Sequence, residues 1–479
     1  MELISYLLWG LLFLGTVGQV AYSWFKKKSS FDFFEAKHIF LLVFFIYYGI
    51  PSFYYLLSNP AFPGVKDTAS SLQWVLLYSL LGLGGFYVGY QISIVKKFDF
   101  LPTKWEFPKL KLTIAAFSIV AVLAGSFLAS QVGGFCYYLT HLGQTNVLLV
   151  GKIYFVWGLI LLKLAALFIL TYYLSNGPKG KFWKLIVGGY LVASAVVVLM
   201  LGARLLAAVY LVEVLVIYHY LLRKIGLKFL ALAGVFTVIF IIGLVGEYRN
   251  FTWSAPQICS VSQSSVKVPE NLRQGLVFTS NANSEALKSV SSSSASPIQY
   301  FGESFANQIS TTSSDWRAVV ERYINNYFDS VLTTMVVIDN TPQNLSYQYG
   351  RSYLALLVQP IPYAWRPNIF LSSRDNPEIL TGGTGYARIL SLLGEAYLNF
   401  SILGIILVPL ILGMLSKAAY DLLLSNRTNL STVLIYAIFI GGLMMIIRGY
   451  FVGAGSFFLM DLVPVLLVLW WFKKSAKAR

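Results

Sequence analysis

The sequence predicts an all-α polytopic membrane protein with about 11 transmembrane helices and one large polar loop that contains short helices. Three observations carry that prediction. Of 479 residues, 57% are hydrophobic and only 12% charged, with a mean hydropathy of +0.68, which excludes an ordinary soluble protein. Apolar runs long enough for a helix to cross a hydrocarbon core recur along the chain. The basic residues fall in short clusters between those runs, on alternate loops, as the positive-inside rule requires. That clustering, rather than nucleic-acid binding, accounts for the net charge of +16.

Taken in order, the runs lie near Leu3 to Trp24, Ala36 to Leu57, Ser71 to Ile94, Leu112 to Ser130, Ile153 to Leu174, Leu185 to Leu201, Leu205 to Leu222, Phe229 to Gly246, Phe400 to Leu422, Ser431 to Ile447 and Tyr450 to Phe472. Glu2 stands where a signal peptide would be basic, and Lys26, Lys27 and Lys28 follow the first run, so that run reads as a retained helix with its N-terminus outside. Alternation then assigns Lys37, Lys96, Lys97, Lys104, Lys109, Lys111, Lys179, Lys181, Lys184, Arg223, Lys224, Lys228, Arg427 and the basic C-terminus to inner loops. The outer loops hold little beyond Lys66 and Lys152.

Three regions follow: an N-terminal bundle of about eight helices over 1–246, a large outer loop region over 247–399, and about three C-terminal helices over 400–479. Within the loop, the serine-rich stretch Ser260 to Pro297 reads as flexible. Ala318 to Ile338 repeats apolar residues at helical spacing and predicts an amphipathic helix on the outer surface or against the bundle. Tyr349 to Phe370, with Pro360, Pro362 and Pro367, predicts a short helix followed by an extended segment.

The chemistry-bearing residues are arginines on the sparsely charged side. Arg204, Arg249 and Arg448 sit at predicted outer ends of spans, two of them where apolar runs join with almost no loop. Guanidinium groups grip phosphate oxygens in a fixed bidentate geometry, so the cluster suits a diphosphate. Snorkelling to lipid head groups or ion pairing is the alternative. Candidate carboxylates for general-base work are Glu395, Asp315, Asp329, Asp339 and Glu303, with Glu395 first because it sits at a membrane edge; a structural role is equally open. Lys163, Glu213, His219 and Asp461 are intramembrane ionisable residues. Lys163 and Glu213 are expected to pair within the bundle, and His219 to pack, with a proton or ion pathway as the other reading. Cys136 and Cys259 are too few for a disulfide framework and lack metal-ligand spacing; they read as free thiols or one pair. No Walker A loop, dinucleotide fingerprint, HExxH, nucleophile elbow or Asp-x-Asp pair is present, so neither cofactor nor metal is expected.

Four stretches in this order resemble the Wzy-type O-antigen polymerases, the oligosaccharide repeat-unit polymerases of bacterial surface polysaccharides. They are GARLLAAVYL at 202–211, YGRSYLALLVQPIP at 349–362 followed by Arg366-Pro367, TGYARILSLLGEAYLNFSILG at 384–404, and IIRGYFVGAG at 446–455. Tyr363 and Ser401 depart from the family pattern, which often has arginine and glycine there. The resemblance implies a metal-independent, inverting, GT-C-like membrane glycosyltransferase with a periplasmic loop. Such an enzyme moves a growing glycan from undecaprenyl diphosphate to a lipid-linked repeat unit. It implies a multi-pass protein of the bacterial inner membrane, N-terminus periplasmic and C-terminus cytoplasmic, working in lipopolysaccharide synthesis among membrane lipids and alongside a chain-length-regulating co-polymerase. Arg204, Arg249, Arg448 and Glu395 would be catalytic, and Arg351, Arg388, Arg366, Tyr397, Asn399 and Tyr353 would bind substrate. The competing readings are an O-antigen ligase, which a histidine within 247–399 would favour and which has none there, and a flippase for the lipid-linked repeat.

Overall fold

Long apolar runs become long helices because a buried backbone must satisfy its hydrogen bonds internally. The structure, a computed structural model, describes residues 2–28, 31–62, 64–93, 101–102, 105–135, 138, 152–177, 180–201, 204–237, 329–358, 361, 390–449 and 451–477, all helical or irregular, with no strand among them. Nine helices are long and apolar enough to cross a membrane among the described residues. They are α1 (Leu3–Lys27), α2 (Ala36–Ser58), α3 (Thr68–Gln91), α4 (Phe107–Gln131), α5 (Ile153–Asn176), α6 (Lys181–Met200), α11 (Leu392–Ser425), α12 (Leu430–Arg448) and α13 (Phe451–Lys477). Between them lie α7 (Arg204–Leu221), α8 (Leu227–Thr237), α9 (Ser330–Asn340) and α10 (Arg351–Val358). Of the other two predicted spans, that from Leu205 to Leu222 appears as the apolar helix α7, and the run from Phe229 is described only as far as Thr237. Leu123, Val192 and Leu403 are each more than 60% exposed, an outward apolar surface that suits lipid and not water.

The helices α3 and α11 approach most closely. Side chains added at Gly85 or Gly89 of α3 would run into the α11 backbone at Ile406 and Leu410, and one added at Gly413 would meet the α3 backbone at Phe86. Small residues permit this contact, which in lipid depends on dispersion and not on the hydrophobic effect. In α1 and α2 a widened π turn replaces part of the regular ladder, at Leu14–Gly18 and Phe45–Gly49. The carbonyls of Gly15 and Gly49 accept from the Tyr87 hydroxyl at 2.7 Å and the Trp9 indole at 2.8 Å.

All the predicted inner ends meet at one end of the bundle, the basic end. There Asp32 Oδ2 accepts from the hydroxyls of Tyr220 on α7 and Tyr420 on α11, at 2.8 and 3.0 Å. Tyr436 of α12 donates to the Phe34 carbonyl at 2.6 Å, and Tyr90 of α3 to Glu35 at 3.0 Å. Lys27 and Lys37 lie 3.6 and 3.5 Å from the same glutamate. His219, expected to pack, accepts the Ile225 N–H on Nδ1 at 3.0 Å and turns Nε2 toward Asp32 Oδ1, 3.6 Å away.

At the opposite end α9 packs against α2, α3 and the start of α11. Asp339 accepts from the Lys66 N–H at 2.9 Å and from the Ser71 hydroxyl, and Asn340 donates to the Gly64 carbonyl at 2.9 Å. Residues Ser330 to Val337 are buried, so of the two placements expected for an amphipathic helix ending near 338, the one against the bundle is observed. The portion from Ala318 to Phe328 lies outside the described residues, as do the serine-rich stretch, the extended Pro-rich segment, Cys136 and Cys259.

Candidate functional site

The site is built where α11 begins. Ser391 caps the helix, its Oγ accepting the Gly394 N–H at 3.1 Å, and Thr334 of α9 shares that hydroxyl at 2.6 Å. The Tyr48 hydroxyl of α2 accepts the Leu393 N–H at 3.0 Å, so amides that a helix start would leave orphaned are satisfied from two neighbouring elements. Helical geometry then fails at Phe400 (φ −138°) and Ser401 (φ 55°, ψ −143°), splitting α11 into a short N-terminal piece and a long span. Phe400 is the residue at which the ninth apolar run was predicted to start. Ser401 occupies a region that favours glycine, at the position where the family pattern often has one.

The break frees carbonyls for other chain segments. Leu398 and Asn399 carbonyls accept the N–H groups of Gln348 and Tyr349 at 2.9 and 3.2 Å. The Asn399 side chain then ties in the turn before α10: Oδ1 accepts the Gly350 N–H at 2.9 Å, and Nδ2 donates to Ser352 Oγ at 2.7 Å and to the Glu395 carbonyl at 2.9 Å. Ser352 in turn donates to Glu395 Oε1 at 2.6 Å, and Glu395 Oε2 accepts the N–H of Phe451, the first residue of α13. A carboxylate at a helix N-terminus also meets the positive end of the helix dipole. Gly350, at φ 85°, allows the turn; a side chain there would press the Phe400 ring.

Glu395 is therefore 1% exposed and held on both oxygens by protein donors. The carboxylate singled out as a candidate base is a knot joining α10, α11 and α13. Asp339 is also engaged, as described above. Asp315 and Glu303 lie outside the described residues, and Asp329 stands at the start of α9.

Around the knot the aromatic residues are stacked. Tyr397 lies on Tyr78 with centroids 5.5 Å apart and next to Tyr347 at 6.4 Å. Tyr353 stacks on Phe400 at 6.2 Å and meets Phe451 edge-on at 5.2 Å, and its hydroxyl is buried without a hydrogen-bond partner among the described residues. Burial, with the Glu395 charge beside it, holds that hydroxyl well above the usual phenol range, so it stays a proton donor.

Arg351 opens α10 and is exposed, and Arg448 ends α12 half-buried, its carbonyl accepting from Ser330 at 3.3 Å. Neither takes part in an ion pair formed among the described residues. The charges of Arg448 and Asp329 both act on Tyr47. Glu213 of α7 faces Gly441 of α12, and Tyr220 faces Tyr436, so α7 runs antiparallel to α12 and begins at the end where α12 finishes. That places the backbone of Arg204 at the same end as Arg448. Arg249, Arg366 and Arg388 lie outside the described residues.

Sequence reasoning missed Ser352 as the hub between Glu395 and Asn399, and Tyr48 and Thr334 as supports for the α11 start. Ser352 had a signal, its place within the YGRSY stretch; the other two had none. The expected pairing of Lys163 with Glu213 is present, Nζ lying 3.1 Å from Oε1, and a second carboxylate joins it, Asp461 Oδ2 at 2.5 Å. Comparison of the chain with protein-family models, with curated proteins and with solved structures gave no match.

Proposed function

We propose that this chain is a bacterial surface-polysaccharide polymerase, a metal-independent, inverting membrane glycosyltransferase that transfers a growing glycan from undecaprenyl diphosphate to a lipid-linked repeat unit. The observation that supports it is convergence. Three of the stretches that carry the resemblance, 349–362, 384–404 and 446–455, lie far apart in sequence, yet residues from all three meet in one hydrogen-bonded knot through Ser352, Glu395 with Asn399, and Phe451. The fourth, at 202–211, starts a helix at the same end.

In this reading the knot is scaffold and the arginines are the working groups. Arg351 and Arg448, with Arg204 and the arginines of the outer loop, hold the donor diphosphate. As the acceptor hydroxyl forms its bond to the anomeric carbon and releases its proton to water, the bond from that carbon to the diphosphate oxygen breaks, and fixed guanidinium groups stabilise the charge the leaving group acquires. Glu395 is a positioning residue, fixing α10 and the start of α13 so that Arg351 and Arg448 sit at set places. Tyr347 and the exposed Tyr349, beside the buried Tyr78–Tyr397 stack, offer faces on which a sugar ring can stack. The arginine end faces the periplasm and the basic end the cytoplasm, because the basic end carries the lysine clusters.

A gel of surface glycan from a strain lacking the gene tests the reading. Single repeat units attached to their carrier or to lipid A are expected. Polymer left on the carrier would instead mean a ligase, and repeats trapped on the inner face a flippase.

A further inference from the structure

At the basic end, away from the knot, α4, α5 and α6 enclose a cleft of about 250 Å³. Phe107, Ile114, Ile169, Tyr172, Trp183 and Tyr190 line it. Its floor is aromatic: Phe107 stacks on Tyr172 at 5.4 Å and meets Trp183 edge-on at 5.7 Å. The Tyr190 hydroxyl shares a hydrogen bond with Ser118 at 3.0 Å. A cleft whose lining is so largely apolar fits a hydrocarbon chain.

The mouth is different. Lys111 is the one charged residue in the lining, its ammonium 4.5 Å from the Phe107 ring. Lys181 and Lys184 open α6 on either side of Trp183, and all three lysines are exposed. None of the three belongs to an ion pair among the described residues, whereas the nearby Lys109 is held by Glu106 at 2.8 Å. Basic rims over apolar clefts between transmembrane helices suit lipids with anionic head groups.

We infer that this cleft is a binding site for an anionic phospholipid, with an acyl chain between α4, α5 and α6 and its phosphate at Lys111, Lys181 and Lys184. The inference is independent of the glycan reading, since it concerns the other end of the bundle and needs no glycan.

The test is native mass spectrometry of the full chain released from mild detergent and titrated with dioleoyl phosphatidylglycerol or dioleoyl phosphatidylcholine. Wild type should retain phosphatidylglycerol tenfold or more over phosphatidylcholine. Changing Lys111, Lys181 and Lys184 to glutamine should lower that preference by roughly fivefold per lysine. Because these side chains are exposed, the variants keep the fold, which a melting curve checks. Ala115→Trp, which fills the cleft from its lining, should reduce retention of both lipids. Equal retention of the two lipids by wild type, or an anionic preference that survives all three lysine changes, overturns the proposal.

Discussion

Two buried polar clusters hang on the same helix, and they use charge in opposite ways. At the start of α13, Glu395 meets a hydroxyl and a backbone N–H. About 15 Å further along at 1.5 Å per residue, Asp461 meets the Lys163 ammonium, which also holds Glu213. In the triad the three ionisable residues are each under 5% exposed, and one ammonium lies between two carboxylates. It is closed, a clasp between α5, α7 and α13. At the knot the carboxylate is engaged by neutral donors, and the nearby cations, Arg351 and Arg448, form no ion pair within the described residues. The end with arginines to spare is the one able to take an anion from outside.

If the triad is a closed clasp, opening it should give the largest loss of stability in the protein. Lys163→Met leaves two carboxylates facing each other in the interior, at a cost of about 3–5 kcal/mol, visible as a fall in melting temperature in detergent. Neutralising the partners too, with Glu213→Gln and Asp461→Asn, should recover much of that loss. A Lys163→Met variant as stable as wild type would mean that the triad is not a clasp.

Opening the knot should cost less, because its partners are neutral. Glu395→Ala strips the acceptor from both Ser352 and Phe451, and about 1–3 kcal/mol is expected for each buried donor left unpaired. Glu395→Gln keeps one acceptor oxygen and turns an amide N–H₂ toward the Phe451 N–H, so it should fall between alanine and wild type. The two variants separate a positioning role from general-base catalysis. A positioning residue predicts residual polymer in Glu395→Gln that tracks its remaining stability, whereas a base predicts none at full stability. The smallest effect runs the other way. Ser401→Gly relieves a residue held at φ 55° and should raise stability by about 1 kcal/mol; a destabilised Ser401→Gly would mean that the serine side chain is needed at the break.

The helices and their alternating ends were legible in the sequence because hydrophobic length and lysine placement are set by the membrane itself. Lys163 and Glu213 were legible as partners because a lone charge in an apolar run demands one. Asp461 stood equally alone, but nothing along the chain says which of several buried charges shares an ammonium. The knot was half legible. Its stretches were visible as motifs and its helix α10 was expected, yet the residues that hold Glu395 are a serine hydroxyl and a main-chain N–H, which carry no pattern of their own. The break at Phe400 and Ser401 involves neither proline nor glycine, so only the start of the predicted span hinted at it.

The comparison predicts that the arginines can be removed without touching the fold. The most direct measurement is surface glycan length in strains carrying Arg351→Gln or Arg448→Gln, with the melting temperature of each purified variant measured alongside. The account predicts that polymer collapses to single repeat units in both while each melts as wild type does. Wild-type chain lengths in both variants would contradict it.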